Sequence, residues 1–329
     1  MISFVIPCYK SAQTIGKVVQ EIEATMTGGM STELTDGIPT AMTDRESEVI
    51  LVNDCSPDNT YDVICELAHA DNHVKGINLA RNFGQHAAIM AGLSYASGDV
   101  VVCLDDDGQT PACEVGKLLA AIDSGSDVVY ARYLHKRHSL FRNFGSFVNE
   151  KMLQFMLGKP KDLYVSSYFA ARRFVVDEIL RYDKNHPYLQ GLVLRTTKRI
   201  TNVDVNHRDR EVGESGYSFG KLLTLWMNGF TAFSVTPLRV STYCGCIFAI
   251  IGFLYGIYTI IRHFVVGTAP LGYASLMSAL MFIGGMIMLM LGLVGEYIGR
   301  MYIGANHAPQ YVIRDKTFGE STNNEGACS

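Results

Sequence analysis

An α/β fold with a mostly parallel, Rossmann-like sheet, followed by an amphipathic interface helix and a two-helix transmembrane hairpin, is what this 329-residue chain predicts. Three observations carry that expectation. Short apolar, β-branched runs alternate with helical patterns over the first 130 residues. One run, Val100-Val101-Val102-Cys103-Leu104, ends abruptly in Asp105-Asp106-Asp107-Gly108-Gln109. Two long uncharged stretches fill the C-terminal third.

The alternation places strands at residues 3–7, 48–53, 74–79, 100–104 and 127–131, with helices at 12–25, 59–70, 84–96 and 111–124. That order calls for parallel strands covered by helices on both faces. Continuous rather than alternating apolar runs fit strands buried on both sides. Residues 27–47, rich in Gly, Thr and Ser, read as an inserted loop. Residues 141–157 and 217–233 carry apolar side chains at helical spacing. The second of these contains the lone Trp226 and lies just ahead of the first uncharged stretch, which suits a helix in the membrane interface.

No charged residue lies within 240–261, and residues 273–295 form a second uncharged stretch. Each is long enough to cross a bilayer, which takes about 20 apolar residues. Thr268-Ala269-Pro270-Leu271-Gly272 supplies the turn between them. Arg239 before the pair, and Arg300, Arg314 and Lys316 after it, place both outer ends in the cytoplasm, with Arg262 counting against. The divisions are then a domain at 1–213, a juxtamembrane amphipathic helix at 214–238, the hairpin at 239–300, and a tail at 301–329. The opening Met1-Ile2-Ser3-Phe4-Val5-Ile6-Pro7 lacks a basic leader, so no signal peptide is expected and the first domain should face the cytosol. Eight cysteines without a C-x-x-C pair suit reduced packing residues better than zinc ligands or a disulfide framework. A net charge of −4 argues against a nucleic-acid partner.

The triple carboxylate carries the chemistry. At the carboxyl end of a parallel strand it sits where open α/β sheets bind ligands. Adjacent carboxylates repel, and a hard divalent cation between them, completed by substrate phosphates, relieves the repulsion. A solvated acidic turn is the plain alternative. Tyr9 and Asp54 follow the first two strands, an aromatic ring and a carboxylate able to meet a base. Arg81-Asn82-Phe83-Gly84-Gln85-His86 follows the third, with an Arg suited to phosphate and a Gly where backbone must approach closely. His86 reads as a helix-start residue before it reads as a ligand, because the carboxylates suffice for a hard cation.

These segments resemble the family-2 glycosyltransferases with the GT-A fold. The match runs through Phe4-Val5-Ile6-Pro7-Cys8-Tyr9, Val49-Ile50-Leu51-Val52-Asn53-Asp54 and Asp105-Asp106-Asp107-Gly108-Gln109. It narrows to the polyprenyl-phosphate glycosyltransferases, a group with dolichol-phosphate mannose synthase and bacterial undecaprenyl-phosphate glucosyl- and aminoarabinosyltransferases. The narrower match rests on Asn82 to Gly92, Arg210 to Ser218, and Gly295-Glu296-Tyr297-Ile298-Gly299-Arg300. The resemblance implies that Pro7, Tyr9, Asp54, Arg81 and Asp106 bind the nucleotide. It implies Asp105 and Asp107 as a Mg²⁺ or Mn²⁺ site, with Gln109 near the sugar and Arg210 as the arginine of a catalytic loop. Arg132, Arg142 and Ser146 match positions that hold the acceptor phosphate. Two positions depart from the family: Gly216 replaces a usual Lys, and Ser166-Ser167 stand where relatives often carry Asp.

The implied reaction moves a sugar from a nucleotide-sugar, a UDP-sugar by analogy with the bacterial branch, to undecaprenyl phosphate at the cytoplasmic membrane face. A lipid monophosphate, with a second pKa of about 6, is already largely ionised and needs no protein base. Single displacement would invert the anomeric centre. A processive polysaccharide synthase is the alternative enzyme, but Leu225-Trp226 does not complete a Gln-x-x-Arg-Trp motif. A non-catalytic scaffold or flippase subunit is the alternative outside enzymes, and it has no use for clustered carboxylates. Gly284, Gly285 and Gly292 allow close helix packing, compatible with a homo-oligomer.

Overall fold

The structure is a computed structural model that describes residues 1–27, 45–133, 154, 159–185, 187–206, 272–305 and 309–319, with isolated positions between 243 and 265. Two compact units emerge: Met1–Leu222 with Ala308–Ser329, and Leu223–His307.

In the first unit, β1 (Ile2–Cys8), β2 (Ser47–Asn53), β3 (Val74–Leu79) and β4 (Val100–Cys103) alternate with α1 (Ile15–Met26), α2 (Thr60–Ala70) and α3 (Gln85–Leu93). A short 3₁₀ turn and α4 (Val115–Asp123) lead to β5 (Val128–Tyr133). Then come β6 (Phe169–Arg172), α5 (Arg173–Leu180), α6 (Leu189–Thr196) and β7 (Ile200–Val205). The eight-stranded sheet has the order β7-β5-β6-β4-β1-β2-β3-β8, where β8 is Ile313–Lys316. β1 pairs in parallel with β2 and β4, and β2 with β3, as the apolar runs predict.

The sheet is mostly parallel, as expected, with antiparallel pairings at β6 and β8. β6 runs antiparallel to both β4 and β5, and β8 runs antiparallel to β3. β8 lies in the segment expected as tail, yet Thr317 Oγ1 accepts from Gly76 N at 2.8 Å and Asn78 Nδ2 donates to Asp315 Oδ2 at 3.1 Å. Its polar, half-exposed Ile-Arg-Asp-Lys pattern is that of an edge strand, which hydrophobic periodicity alone does not flag.

All seven residues of β1 and all four of β4 are buried, so the sheet centre is sealed on both faces. Gly92 lets α3 lie close on the sheet: a Cβ there would press on the Val5 side chain and come within 3.1 Å of Val52 Cγ2. Cys8, Cys55, Cys103 and Cys113 stand outside any disulfide, but Cys65 of α2 is disulfide-bonded, against the reduced set expected.

The second unit contributes α7 (Tyr273–Ala305), a 33-residue helix. At 1.5 Å per residue it is about 50 Å long, more than a bilayer's hydrocarbon core. Its segment Phe282–Gly299 is apolar enough to span a membrane, and none of that segment is buried. Leu276, Phe282, Ile283, Ile287, Met288 and Leu291 are all exposed. The described positions of the first expected span, including Ile247, Ile250 and Leu254, are helical and exposed; the rest of it lies outside the described residues, as does the interface helix expected at 214–238.

Candidate active site

Register brings the strand ends together. Cys8 of β1 pairs with Asn53 of β2, and Val5 with Cys103 of β4, so Tyr9, Asp54 and Asp105 leave the sheet along one edge. The three acids then diverge. Asp105 Oδ1 accepts from Gln85 Nε2 at 2.9 Å, and its Oδ2 accepts from Ser167 Oγ. Asp106 Oδ2 accepts from Tyr9 N at 2.9 Å and from Ser11 Oγ. Asp107 Oδ1 accepts from Gln109 N at 3.1 Å across Gly108, whose φ of +71° suits glycine.

Partial burial, reinforced by the negative charge of Asp107 and Asp106, pushes the Asp105 carboxyl up to about 6 against the hydrogen bonds of Ser167 and Gln85. Burial, with added charge from Asp105 and Asp107, also raises the phenol of Tyr133. The Gln85 and Ser167 donors to Asp105 are neutral, so they orient the carboxylate without cancelling its charge. That electrostatic excess fits a divalent cation. Among the described residues no group of three or more His, Cys, Asp or Glu closes around a metal position. A cation at Asp105 and Asp107 would therefore need ligand oxygens, as Mg²⁺ sites on substrate phosphates do.

The expected nucleotide residues surround the neighbouring strand ends. Pro7 is buried in β1, whereas Tyr9 is 46% exposed. Asp54 is buried, and its oxygens accept from Phe83 N at 2.7 Å and Gly84 N at 2.8 Å. Burial raises its carboxyl above the ordinary range despite those two bonds. In this structure Asp54 thus shapes the Phe83-Gly84 turn. Gly84 has φ +92° and open space around it, so its reason is backbone conformation and not the close approach expected. Arg81 is exposed, with its guanidinium 4.6 Å from the Phe83 ring centroid. Lys10 and Cys55 both adopt left-handed φ, 59° and 51°, and Lys10 N donates to Ser56 Oγ at 3.0 Å. Two strained turns clasp each other here, and Asp106 anchors the first.

Gln109 lies half-buried two residues beyond Asp107. Arg132 forms a bidentate pair with Asp204, Nε to Oδ1 at 2.5 Å and Nη2 to Oδ2 at 3.0 Å. Arg142, Ser146 and Arg210 lie outside the described residues. His86 occupies the first turn of α3, as its helix-start reading expects, and burial lowers it to about 4, leaving a neutral imidazole. Its ring meets Tyr188 edge-on at 5.7 Å. Gln85, Ser11, Ser167 and Tyr133 are site residues that motif reading left without roles. Gln85 stood inside a quoted motif, and Ser167 was visible only as a missing acid.

A model of the glycosyl transferase family 2 matches residues 3–180, and one of the GtrB C-terminal hairpin matches residues 236–301. Undecaprenyl-phosphate 4-deoxy-4-formamido-L-arabinose transferase of Klebsiella pneumoniae is 32% identical over 317 residues, 95% of this chain and 92% of the relative. The protein of the same name from Salmonella choleraesuis is 32% identical over 324 residues, covering 98% and 95%. Among solved structures, glucosyl-3-phosphoglycerate synthase from Mycobacterium tuberculosis, in complex with Mn²⁺ and UDP-glucose, aligns with a TM-score of 0.48 at 18% identity, over 71% of this chain and 79% of the other. With a family match over more than half its length and relatives aligned nearly end to end, this chain belongs to the family-2 glycosyltransferases.

Proposed function

We propose that this glycosyltransferase moves a sugar from a UDP-sugar to undecaprenyl phosphate or a close polyprenyl phosphate, at the cytoplasmic face of the membrane and with inversion. The observation that carries the reading is the Asp105/Asp107 edge, set at the carboxyl ends of parallel strands beside the Tyr9 and Asp54 turns. The names of the relatives support the lipid acceptor. The exposed apolar surface of α7 supports a membrane setting.

Asp105 and Asp107 would hold Mg²⁺ or Mn²⁺, whose charge stabilises the departing nucleoside diphosphate. Gln85 and Ser167 fix the rotamer of Asp105 so that its charge is already in place when the leaving group develops its own. Asp106 holds the Tyr9 turn against which the base would lie. Ser167, occupying the neighbourhood of the missing acid, donates to Asp105 and cannot serve as a base. None is needed, because the acceptor phosphate attacks in its ionised form. Arg132, Arg142, Ser146 and Arg210 are the proposed acceptor-phosphate contacts. A guanidinium has five N–H donors, and the pair of Arg132 with Asp204 uses two of them.

The test is transfer of radiolabelled sugar from a panel of UDP- and GDP-sugars to undecaprenyl phosphate by the purified full-length protein with Mn²⁺ or Mg²⁺. Lipid labelling from one donor, reduced at least 10³-fold in Asp107→Ala, is expected. No labelling from any donor by folded protein, or labelling indifferent to Asp107, would overturn the proposal.

A further inference from the structure

Cys8, Asn53 and Asn78 stand in one row across β1, β2 and β3, each registered on the next, and Asp315 of β8 extends the row to the edge of the sheet. Tyr9 and Asp54, at the expected nucleotide edge, follow this row directly. Registered partners project to the same face, which brings Asn53, Asn78 and Asp315 within reach of one another. Asp315 Oδ2 accepts from Asn78 Nδ2 at 3.1 Å, and Asn78 Oδ1 accepts from Asn53 Nδ2 at 2.9 Å. Asn53 Oδ1 in turn accepts from Ser56 N at 3.1 Å, and Ser56 Oγ accepts from Lys10 N at 3.0 Å. Lys10 stands between Tyr9 and Ser11, the two residues that Asp106 holds. An unbroken run of hydrogen bonds therefore joins the strand that follows α7 to the turn proposed to meet the base.

This run has a direction. Ser56 N can only donate, so Asn53 must turn its carbonyl oxygen to it and its amide N–H groups to Asn78. Asn78 must then accept with its oxygen and donate onward. The run needs an acceptor at its end, and a carboxylate offers nothing else. Asp315 supplies that acceptor and so fixes both amide orientations. Asn53 is 3% exposed, which leaves solvent little room to replace a lost partner. Lys10 and Cys55 hold left-handed φ of 59° and 51°, a conformation that non-glycine residues keep only where their surroundings enforce it. The bonds of Ser56 to Asn53 and Lys10 do the enforcing. Thr317 Oγ1, which accepts from Gly76 N at 2.8 Å, ties β8 to β3 outside this run.

We propose that Asp315 is a positioning residue for the nucleotide: through Asn78, Asn53 and Ser56 it holds the Lys10 turn, and with it Tyr9, in the geometry that receives the base. The inference rests on the nucleotide-sugar reading above and adds that the nucleotide site is complete only with β8 in place. Asp315 touches no part of the nucleotide and acts by preorganisation.

Calorimetric titration of the full-length protein with UDP and Mn²⁺, beside thermal denaturation of the same variants, tests the assignment. Asp315→Ala should weaken UDP about fivefold or more. Asp315→Asn, whose amide oxygen can still accept from Asn78, should bind within about twofold of wild type. Ser56→Ala cuts the last link and should weaken UDP to a similar degree, with the double variant Asp315→Ala/Ser56→Ala losing less than the product of the two single effects. Thr317→Val loosens β8 elsewhere, and should lower the denaturation midpoint while UDP stays within about twofold. Should Asp315→Ala fail to fold, Asn78→Ala cuts the same link from β3 and decides in its place. Unchanged UDP affinity in Asp315→Ala, an equal loss in Thr317→Val or in Asp315→Asn, or multiplicative losses in the double variant would overturn the assignment and leave the donor reading intact. Wild-type protein that does not bind UDP would instead overturn the donor reading, and this inference with it.

Discussion

Ile50 in β2 and Ile287 in α7 are the same side chain in opposite surroundings: the first is 0% exposed and the second 51%. The strands of the first unit spend their apolar residues on one another, whereas the helix of the second presents its own outward. Charge, period and run length separate the two regions, because a buried parallel strand needs only a short apolar run bounded by turns, while a helix with uncharged, apolar residues over about 20 positions is long enough to cross a bilayer.

The largest effect should break that comparison at its base. Ile50→Ala opens a cavity in a sealed sheet and is expected to cost about 2–5 kcal/mol, read as a shift of the denaturation midpoint of the detergent-solubilised protein. Ile287→Ala should leave that midpoint within about 0.5 kcal/mol, since that side chain is exposed among the described residues. Equal shifts in the two variants would show that α7 is a core helix.

A second, smaller effect sharpens the contrast through charge. The sealed unit holds Glu48, 4% exposed, which accepts from Ser3 Oγ at 2.6 Å, Ser97 N at 2.7 Å and Lys75 Nζ at 2.6 Å. Burial alone would raise its carboxyl, but the hydrogen bonds from Lys75, Ser3 and Ser97 outweigh it and lower the group from 4.5 to about 2. A depressed carboxyl stabilises the fold above its unfolded pKa. About 2–3 kcal/mol should therefore be present above pH 5 and lost as pH falls from 5 toward 2. Glu48→Gln should flatten that part of the pH–stability curve, and an unchanged curve would remove Glu48 from the account.

The smallest effect concerns the strand that follows α7. Asp315→Ala removes the acceptor of Asn78 Nδ2 and interrupts a chain that runs on from Asn78 Oδ1 to Asn53 Nδ2 at 2.9 Å. About 1 kcal/mol is expected, with hydrogen exchange accelerated in β3 and β8 before β1. Acceleration in β1 to the same degree would mean that β8 belongs to the cooperative centre rather than to its edge.

The parallel centre was legible because each β-strand, turn and helix there is contiguous in the chain. Residues 74–79 form the strand at its expected bounds, and residues 48–53 and 100–104 do so within a residue at one end. The site was legible to the same depth: strand ends presented Tyr9, Asp54 and Asp105 along one edge, as their positions after apolar runs required. What the acids do individually was not. Asp106 and Asp107 are chemically identical neighbours, and only the fold turns one back to the Tyr9 and Ser11 turn and leaves the other on the Gly108 turn.

Sequence alone determined the chemistry at hand: buried runs ending in carboxylates, a lipid-length apolar segment, and the motifs of a family. Tertiary structure alone decided the company those residues keep. Ser167 reaches Asp105 across 62 positions, Asp315 reaches Asn78 across 237, and Tyr188, just ahead of α6, meets His86. The physical reason is that local pattern encodes the preferences of a segment, while a contact between distant segments exists only once the sheet has closed and paid its conformational entropy.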